Sequence, residues 1–269
     1  MALTAPVCYQ AGAVIRKTGE YLFYSEYVCI FAAKKMTMKK ILSVYIVAYI
    51  ALLVVVLGLL YAYPKLELHL LLNSSHTRFE DTFFKFYSVL AEWPLYILAA
   101  LPLFWKKYRI TVFFLVSELT AGAILQILKY FISADRPICA FENCSNLSLP
   151  LVEGVSLHHS NSFPSGHAST FFVFFTCCAL LLSYQNQLKR KQNDHMMWFL
   201  INALTFLLLI LAALGAYSRI YLSQHFLSDV CVGSIIGFIT PCLVFFFGKN
   251  KILQLNKEQE TDENKRNTA

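Results

Sequence analysis

Long apolar runs alternate with short polar segments along the 269-residue chain. A helix needs about 20 mostly apolar residues to cross a hydrocarbon core of about 30 Å. Six runs approach that length, so the pattern predicts six transmembrane helices. Lys85 and Glu92 interrupt the second run, and Glu118 interrupts the third. The runs cover residues 41–63, 83–105, 110–130, 168–184, 198–217 and 227–248.

The composition also indicates a membrane protein. Hydrophobic residues make up 57% of the chain and charged residues 14%, against roughly 25% charged in an ordinary soluble domain. With 23 Phe and 15 Tyr, the chain can bury far more apolar area than a disordered protein can. A soluble monomer and a disordered chain are therefore excluded, and the expected fold class is an all-α bundle of six transmembrane helices.

Positive charges occur in short clusters between the apolar runs, and the net charge is +7. A nucleic-acid-binding protein would carry one long basic stripe, so we expect no nucleic-acid partner. The clusters fall on one side of the predicted bundle, and the positive-inside rule places that side and both termini in the cytoplasm. The clusters are Lys39 and Lys40; Lys106, Lys107 and Arg109; Lys189, Arg190 and Lys191; and Lys249, Lys251 and Lys257.

The two ends of the chain differ from its centre. Residues 1–35 lack helical periodicity and a signal-peptide pattern, and we interpret them as an extension that is disordered or not native. Translation from Met36 or Met38 would give a conventional first helix with positive flanks. The tail, residues 250–269, is polar and charged and is expected to be solvated. The membrane domain then comprises residues 36–249.

Three polar patches lie at the outward ends of the third to sixth runs. Each patch alone has a structural explanation: a lysine at a helix end, a turn with a cap, and an interfacial anchor followed by an i,i+4 pair. Together they specify eleven residue identities in order. At roughly 5% per identity, the probability that such a pattern occurs by chance in this chain is on the order of 10⁻⁸. The patches are Lys129 with Arg136 and Pro137; Pro164, Ser165, Gly166 and His167; and Ser218, Arg219, His225 and Asp229.

The first two patches contain the residue types that bind phosphate. Phosphoryl transfer places negative charge on three equatorial oxygens, so its catalysis depends on positioning and electrostatic stabilisation. Lys129, Arg136 and, from the third patch, Arg219 supply positive charge. Ser165 is a good N-cap for the fourth run, and Gly166 lets the backbone approach an anion closely. These five residues are the predicted phosphate-binding set.

Two histidines provide the groups for covalent chemistry. His225 and Asp229 share one helix face, so the carboxylate can accept the imidazole N–H, set its tautomer and stabilise the cation that forms. His225 is the predicted nucleophile, and the reaction passes through a phosphohistidine. His167 would protonate the leaving alcohol and later activate water. The scheme needs no metal ion and no cofactor, because cationic side chains replace Mg²⁺.

The joint pattern from Lys129 to Asp229 resembles the signature of the type 2 phosphatidic acid phosphatase superfamily at every fixed position. The resemblance to its membrane-bound lipid phosphatase branch implies six helices and the same roles for the histidines and the phosphate-binding residues. It implies a substrate such as undecaprenyl pyrophosphate, a lipid A phosphate, phosphatidylglycerophosphate or phosphatidic acid. The first patch lacks the Gly-Arg pair that animal lipid phosphatases share there. We therefore expect a bacterial envelope lipid, with the site on the periplasmic face of the inner membrane.

Two other functions stay open at this stage. A transporter or channel could use the same cations to bind and pass phosphorylated lipids or anions. A vanadate-dependent haloperoxidase shares the signature, although such enzymes are soluble. The sequence also leaves open the oligomeric state, and whether Cys139 and Cys144 form a disulfide in their outward loop.

Several polar residues near the patches carry weaker signals. Asp135 could orient the arginine that follows it, and the loop with His158 and His159 could fold over the site. Glu118 and Gln126 lie within the third run, where polar groups are costly and usually pair inside the bundle. We interpret Glu118 as structural.

Overall fold

A computed structural model of the chain describes residues 44–144, 147–189 and 195–252. Regular structure in these ranges is entirely helical, which confirms the predicted all-α fold class. The extension of residues 1–35, the start at Met36 or Met38 and the tail beyond residue 252 lie outside the described residues. The location of the two termini therefore stays a prediction.

Five of the helices in the described ranges are long and apolar enough to span a membrane. They are α1, Val44–Ala62; α5, Tyr108–Phe131; α7, Gly166–Lys189; α8, His195–Tyr221; and α9, Leu227–Ile252. The shorter helices are α2, Lys65–Leu72; α3, Arg78–Val89; α4, Pro94–Ala100; and α6, Pro137–Glu142, and a 3-10 helix, Leu101–Trp105, follows α4. The chain is an integral membrane protein.

The second predicted run, residues 83–105, is not one straight helix. Helix α3 and the segment Pro94–Trp105 meet at an angle of 47°. Pro94 stands at the start of α4, and a proline cannot continue a preceding helix because it lacks an N–H and clashes with the previous turn. The described residues thus provide five spans, or six if the bent pair forms one span.

Helix α7 lies at the centre of the bundle, and 72% of the residues in its most apolar stretch are buried. Two glycines on α9 allow a close approach to it. A Cβ on Gly233 would lie 2.4 Å from the carbonyl oxygen of Ser165, and a Cβ on Gly237 would lie 2.4 Å from the carbonyl oxygen of Ser169. Small residues at such contacts are typical of membrane helix packing. The contact brings the start of α7 against the start of α9.

Candidate active site

The short connection between α8 and α9 positions the first residue of the site. The backbone amide of His225 donates to the carbonyl oxygen of Arg219 at 3.1 Å, next to the end of α8. Ser223 adopts a left-handed conformation with φ of 52°, and its hydroxyl donates to the carbonyl oxygen of Pro150 at 2.8 Å. The Nδ2 atom of Asn73 donates to the same hydroxyl at 2.8 Å. Segments far apart in the chain therefore hold the His225 backbone.

The side chains of His225 and Asp229 are each 3% exposed, and their closest atoms, Nδ1 and Oδ2, are 3.7 Å apart. That distance is longer than a hydrogen bond. The Oγ atom of Ser162 lies 3.5 Å from Nδ1 of His225 and donates to Oδ2 of Asp229 at 2.5 Å. A serine hydroxyl, which the sequence did not indicate, thus connects the imidazole with the carboxylate.

The environment of His225 favours the neutral imidazole. Burial is the main cause that lowers its pKa to about 4, and the charges of Arg219 and Arg136 act in the same direction, against Asp229. At pH 7 the ring is therefore neutral. With Nδ1 directed at the serine hydroxyl, the lone pair lies on Nε2, which is the nitrogen available to a ligand.

Arg136 lies directly before α6 and is 9% exposed. Its Nε donates to the carbonyl oxygen of Ser160 at 2.9 Å, and its Nη1 donates to the carbonyl oxygen and the Oε1 atom of Gln224 at 3.2 and 3.3 Å. These acceptors fix the guanidinium in place. Asp135 is exposed, so the oxygens of Ser160 and Gln224, and not the neighbouring carboxylate, account for the orientation of Arg136.

Arg219 lies in the last turn of α8 and is also 9% exposed. Its Nη1 donates to the hydroxyl of Ser88 in α3. Its Nε is buried and has no hydrogen-bond partner among the described residues, which is a costly arrangement unless a ligand supplies an acceptor. Lys129 lies in the last turn of α5 and is half-buried.

The second patch lies at the start of α7. Ser165 is fully buried, and its backbone amide donates to the carbonyl oxygen of Asp229 at 3.0 Å, which joins the second patch to the third. Its Oγ accepts a long hydrogen bond of 3.5 Å from the amide of Ala168. A Cβ on Gly166 would meet nothing within 4 Å. The backbone there borders open space, as close approach of an anion requires.

His167 follows on the first turn of α7. Its Nε2 lies 3.7 Å from Oε1 of Glu92 and is buried without a hydrogen-bond partner among the described residues. Glu92 is in the turn between α3 and α4, where the sequence indicated only an interruption of an apolar run. No sequence signal links Glu92 to His167, because the bend at Pro94 brings the two together.

All eight predicted site residues lie at one end of the bundle. Electrostatic interactions act on His167 from Lys129, Arg136, Arg219 and His225, so residues of the three patches surround it. The eight residues are Lys129, Arg136, Ser165, Gly166, His167, Arg219, His225 and Asp229.

The two histidines of the outward loop do not contribute side chains to this cluster. His158 and His159 are both exposed. His159 acts through its carbonyl oxygen, which accepts hydrogen bonds from the backbone amide of Arg136 at 3.2 Å and from Cys139 Sγ at 3.3 Å. Cys139 and Cys144 are free thiols in the structure, so the loop is held by hydrogen bonds and not by a disulfide.

Within residues 44–144, 147–189 and 195–252, no three His, Cys, Asp or Glu side chains are grouped as metal ligands. The metal independence of the chemistry stays a prediction.

The fold and the site define an integral membrane protein in which cationic side chains lie close to two histidines. Residues 110–252, more than half of the chain, match the PAP2 superfamily, and the protein belongs to that superfamily. This confirms the resemblance seen in the sequence.

Two individual proteins are similar to the chain. A Dictyostelium discoideum protein described as a PA-phosphatase related-family protein is 30% identical over 101 residues, which is 38% of this chain and 36% of that protein. The match thus spans about a third of the length of that relative. The crystal structure of Aquifex aeolicus LpxE is similar with a TM-score of 0.47 and 27% identity, covering 68% of this chain and 95% of the other.

Proposed function

We propose that the protein is an integral-membrane phosphatase that hydrolyses a phosphomonoester or a pyrophosphate on a membrane lipid. The observation that carries the proposal is the convergence of Lys129, Arg136 and Arg219 on two histidines at one end of a transmembrane bundle. Membership of the PAP2 superfamily supports the same activity, as does a relative described as PA-phosphatase related.

The substrate phosphate would lie between the three cations and the start of α7. The unpartnered Nε of Arg219 supplies one donor, and the backbone beside Gly166 supplies others from a helix N-terminus. Lys129 adds a mobile charge on a flexible stem. Positive charge placed before the reaction stabilises the equatorial oxygens of the transition state without reorganisation.

In the first step, Nε2 of His225 attacks phosphorus. The N–P bond forms while the bond between phosphorus and the lipid oxygen breaks, and His167 gives its proton to the departing oxygen. The cation on His225 is stabilised through Nδ1–H, the hydroxyl of Ser162 and the carboxylate of Asp229. Oε1 of Glu92 lies 3.7 Å from Nε2 of His167. The negative charge of the bound phosphate would offset the neighbouring cations and favour the protonated form that this step requires.

In the second step, a water molecule attacks the phosphohistidine. His167 accepts a proton from the water, the new O–P bond forms and the N–P bond breaks. The products are inorganic phosphate and the lipid alcohol, or inorganic phosphate and the lipid monophosphate when the substrate is a pyrophosphate. Both histidines then have the protonation states in which they started. Side chains, backbone amides and water supply every group that these steps use, so we propose a metal-independent reaction.

We also propose that the site faces away from the cytoplasm. Lys106 and Lys107 precede α5, whereas Lys129 lies at the other end of the same helix. The positive-inside rule then places the site on the outer face. For a bacterial inner membrane this is the periplasmic face, and the substrate would be an envelope lipid. In a Cys139→Ser, Cys144→Ser background, which removes the free thiols of the outward loop, Ser148→Cys should react with a membrane-impermeant maleimide in intact cells, and Lys107→Cys should not.

The direct test is phosphate release by the purified full-length protein in detergent. The panel comprises undecaprenyl pyrophosphate, a lipid A phosphate, phosphatidylglycerophosphate and phosphatidic acid. His225→Ala should abolish release while the protein stays monodisperse, and His158→Ala, which removes an exposed histidine, should leave the rate unchanged.

The competing functions give different results in the same preparation. A transporter would release no phosphate from any lipid. A haloperoxidase would oxidise halide with peroxide once vanadate is added. Retained phosphate release in His225→Ala would contradict the assignment of the nucleophile.

A further inference from the structure

A groove with a volume of about 510 Å³ opens between α4, α5 and α7, within the membrane-spanning part of the protein. Most of its wall is apolar, but Glu118 of α5 forms part of it. An ionisable side chain at membrane depth is costly, and it is usually paired or functional.

One oxygen of Glu118 is paired and the other is not. The hydroxyls of Tyr96 and Thr170 both donate to Oε1, at 3.1 and 2.7 Å. The second oxygen, Oε2, takes part in none of the hydrogen bonds seen among the described residues. The two donors hold the carboxyl group in a fixed orientation. The groove wall therefore contains a hydrogen-bond acceptor that is held in place and has a free valence.

Two residues of the groove wall, Gln126 and Thr170, lie about one helical turn from predicted site residues. Thr170 lies four residues after Gly166 on α7, so it is about 6 Å, or one helical turn, deeper in the membrane than the phosphate-binding backbone. Gln126, another wall residue, stands three residues before Lys129. Helix α4, which forms one side of the groove, begins two residues after Glu92. A lipid whose phosphate occupies the site can thus place its adjoining atoms beside Glu118.

On the basis of the proposed phosphatase function, we propose that Glu118 selects lipid phosphates that carry a hydrogen-bond donor close to the phosphate. The donor is a hydroxyl or an amide N–H, a few covalent bonds from phosphorus. A diacylglycerol phosphate presents only ester oxygens beside Glu118. Ester oxygens accept hydrogen bonds, so they could not pair with Oε2, which is also an acceptor. An N-acylated, hydroxylated lipid phosphate would instead donate to Oε2 and satisfy it.

The test compares kcat/KM for two lipids with matched acyl chains in detergent micelles, ceramide 1-phosphate and diacylglycerol 3-phosphate, and for water-soluble p-nitrophenyl phosphate. The additional hydrogen bond predicts a preference of up to roughly tenfold for ceramide 1-phosphate in the native protein. Glu118→Gln keeps an acceptor for Tyr96 and Thr170 but allows an NH₂ group at the position of Oε2. This variant should lose the preference, with unchanged turnover of p-nitrophenyl phosphate. The control, Glu153→Gln, changes an exposed carboxylate and should keep the preference.

Three results would overturn the inference. The first is a native protein without a preference for the donor-bearing lipid. The second is an unchanged preference in Glu118→Gln. The third is an equal loss for all three compounds in that variant, which would assign Glu118 a purely structural role. Absence of phosphate release from every compound by the native protein would contradict the proposed function itself, and this inference with it.

Discussion

Ser162 offers the sharpest test of the site, because its hydroxyl connects the proposed nucleophile with the carboxylate that stabilises it. In Ser162→Ala, His225 and Asp229 keep their positions on the chain, but a gap of 3.7 Å remains between Nδ1 and Oδ2. The change removes the contact of 3.5 Å to the imidazole and the hydrogen bond of 2.5 Å to the carboxylate.

The expected loss follows from the energy of that connection. A hydrogen bond to a charged group contributes about 1.5–3 kcal/mol, and about 1.4 kcal/mol corresponds to a tenfold change in rate. The contact on the imidazole side is long, so the effect should lie at the lower end. We expect Ser162→Ala to slow phosphohistidine formation roughly tenfold, and Asp229→Ala to slow it considerably more, because the charge itself is then lost.

Single-turnover measurements with a ³²P-labelled lipid, quenched in base to preserve phosphohistidine, report this step directly. Ser228→Ala is the matched control, since Ser228 donates to the other carboxylate oxygen, Oδ1 of Asp229, at 3.0 Å. That variant should slow the step less than about threefold. Equal rates in the two serine variants would show that Ser162 does not act between the imidazole and the carboxylate.

Three further predictions concern pH, helix packing and metal ions. The neutral imidazole of His225 attacks phosphorus, and the pKa of His225 is lowered to about 4. After correction for substrate ionisation, kcat/KM should therefore stay constant as the pH decreases and fall only near pH 4. A midpoint near the ordinary histidine pKa of about 6.5 would contradict this. Gly233→Ala places a Cβ 2.4 Å from the carbonyl oxygen of Ser165. The resulting shift of the helices should lower kcat on the order of 100-fold. Gly58→Ala is the control, because a Cβ there meets nothing within 4 Å, and it should leave kcat unchanged. Excess EDTA should leave the rate unchanged, and loss of activity that Mg²⁺ or Zn²⁺ restores would refute metal independence.

Much of the architecture could be predicted from the order of apolar and polar residues. A chain inside a bilayer must satisfy its backbone hydrogen bonds internally, so apolar runs of sufficient length form helices. The third to sixth runs correspond to α5, α7, α8 and α9. Consecutive spans alternate in direction, which is why patches at successive helix ends could be expected on one face. The family could be identified from the same residues.

The contacts that refine the site depend on tertiary structure. Pro94 lies inside the second predicted run, and only the bend between α3 and α4 brings Glu92 to His167. Ser162 lies 67 positions before Asp229, and their hydrogen bond depends on how closely α7 and α9 pack at Gly233. Hydropathy and local propensity determine which segments become helices. Distances of a few ångströms between residues far apart in the chain depend on how side chains of particular volumes fit together, and the folded bundle alone decides them.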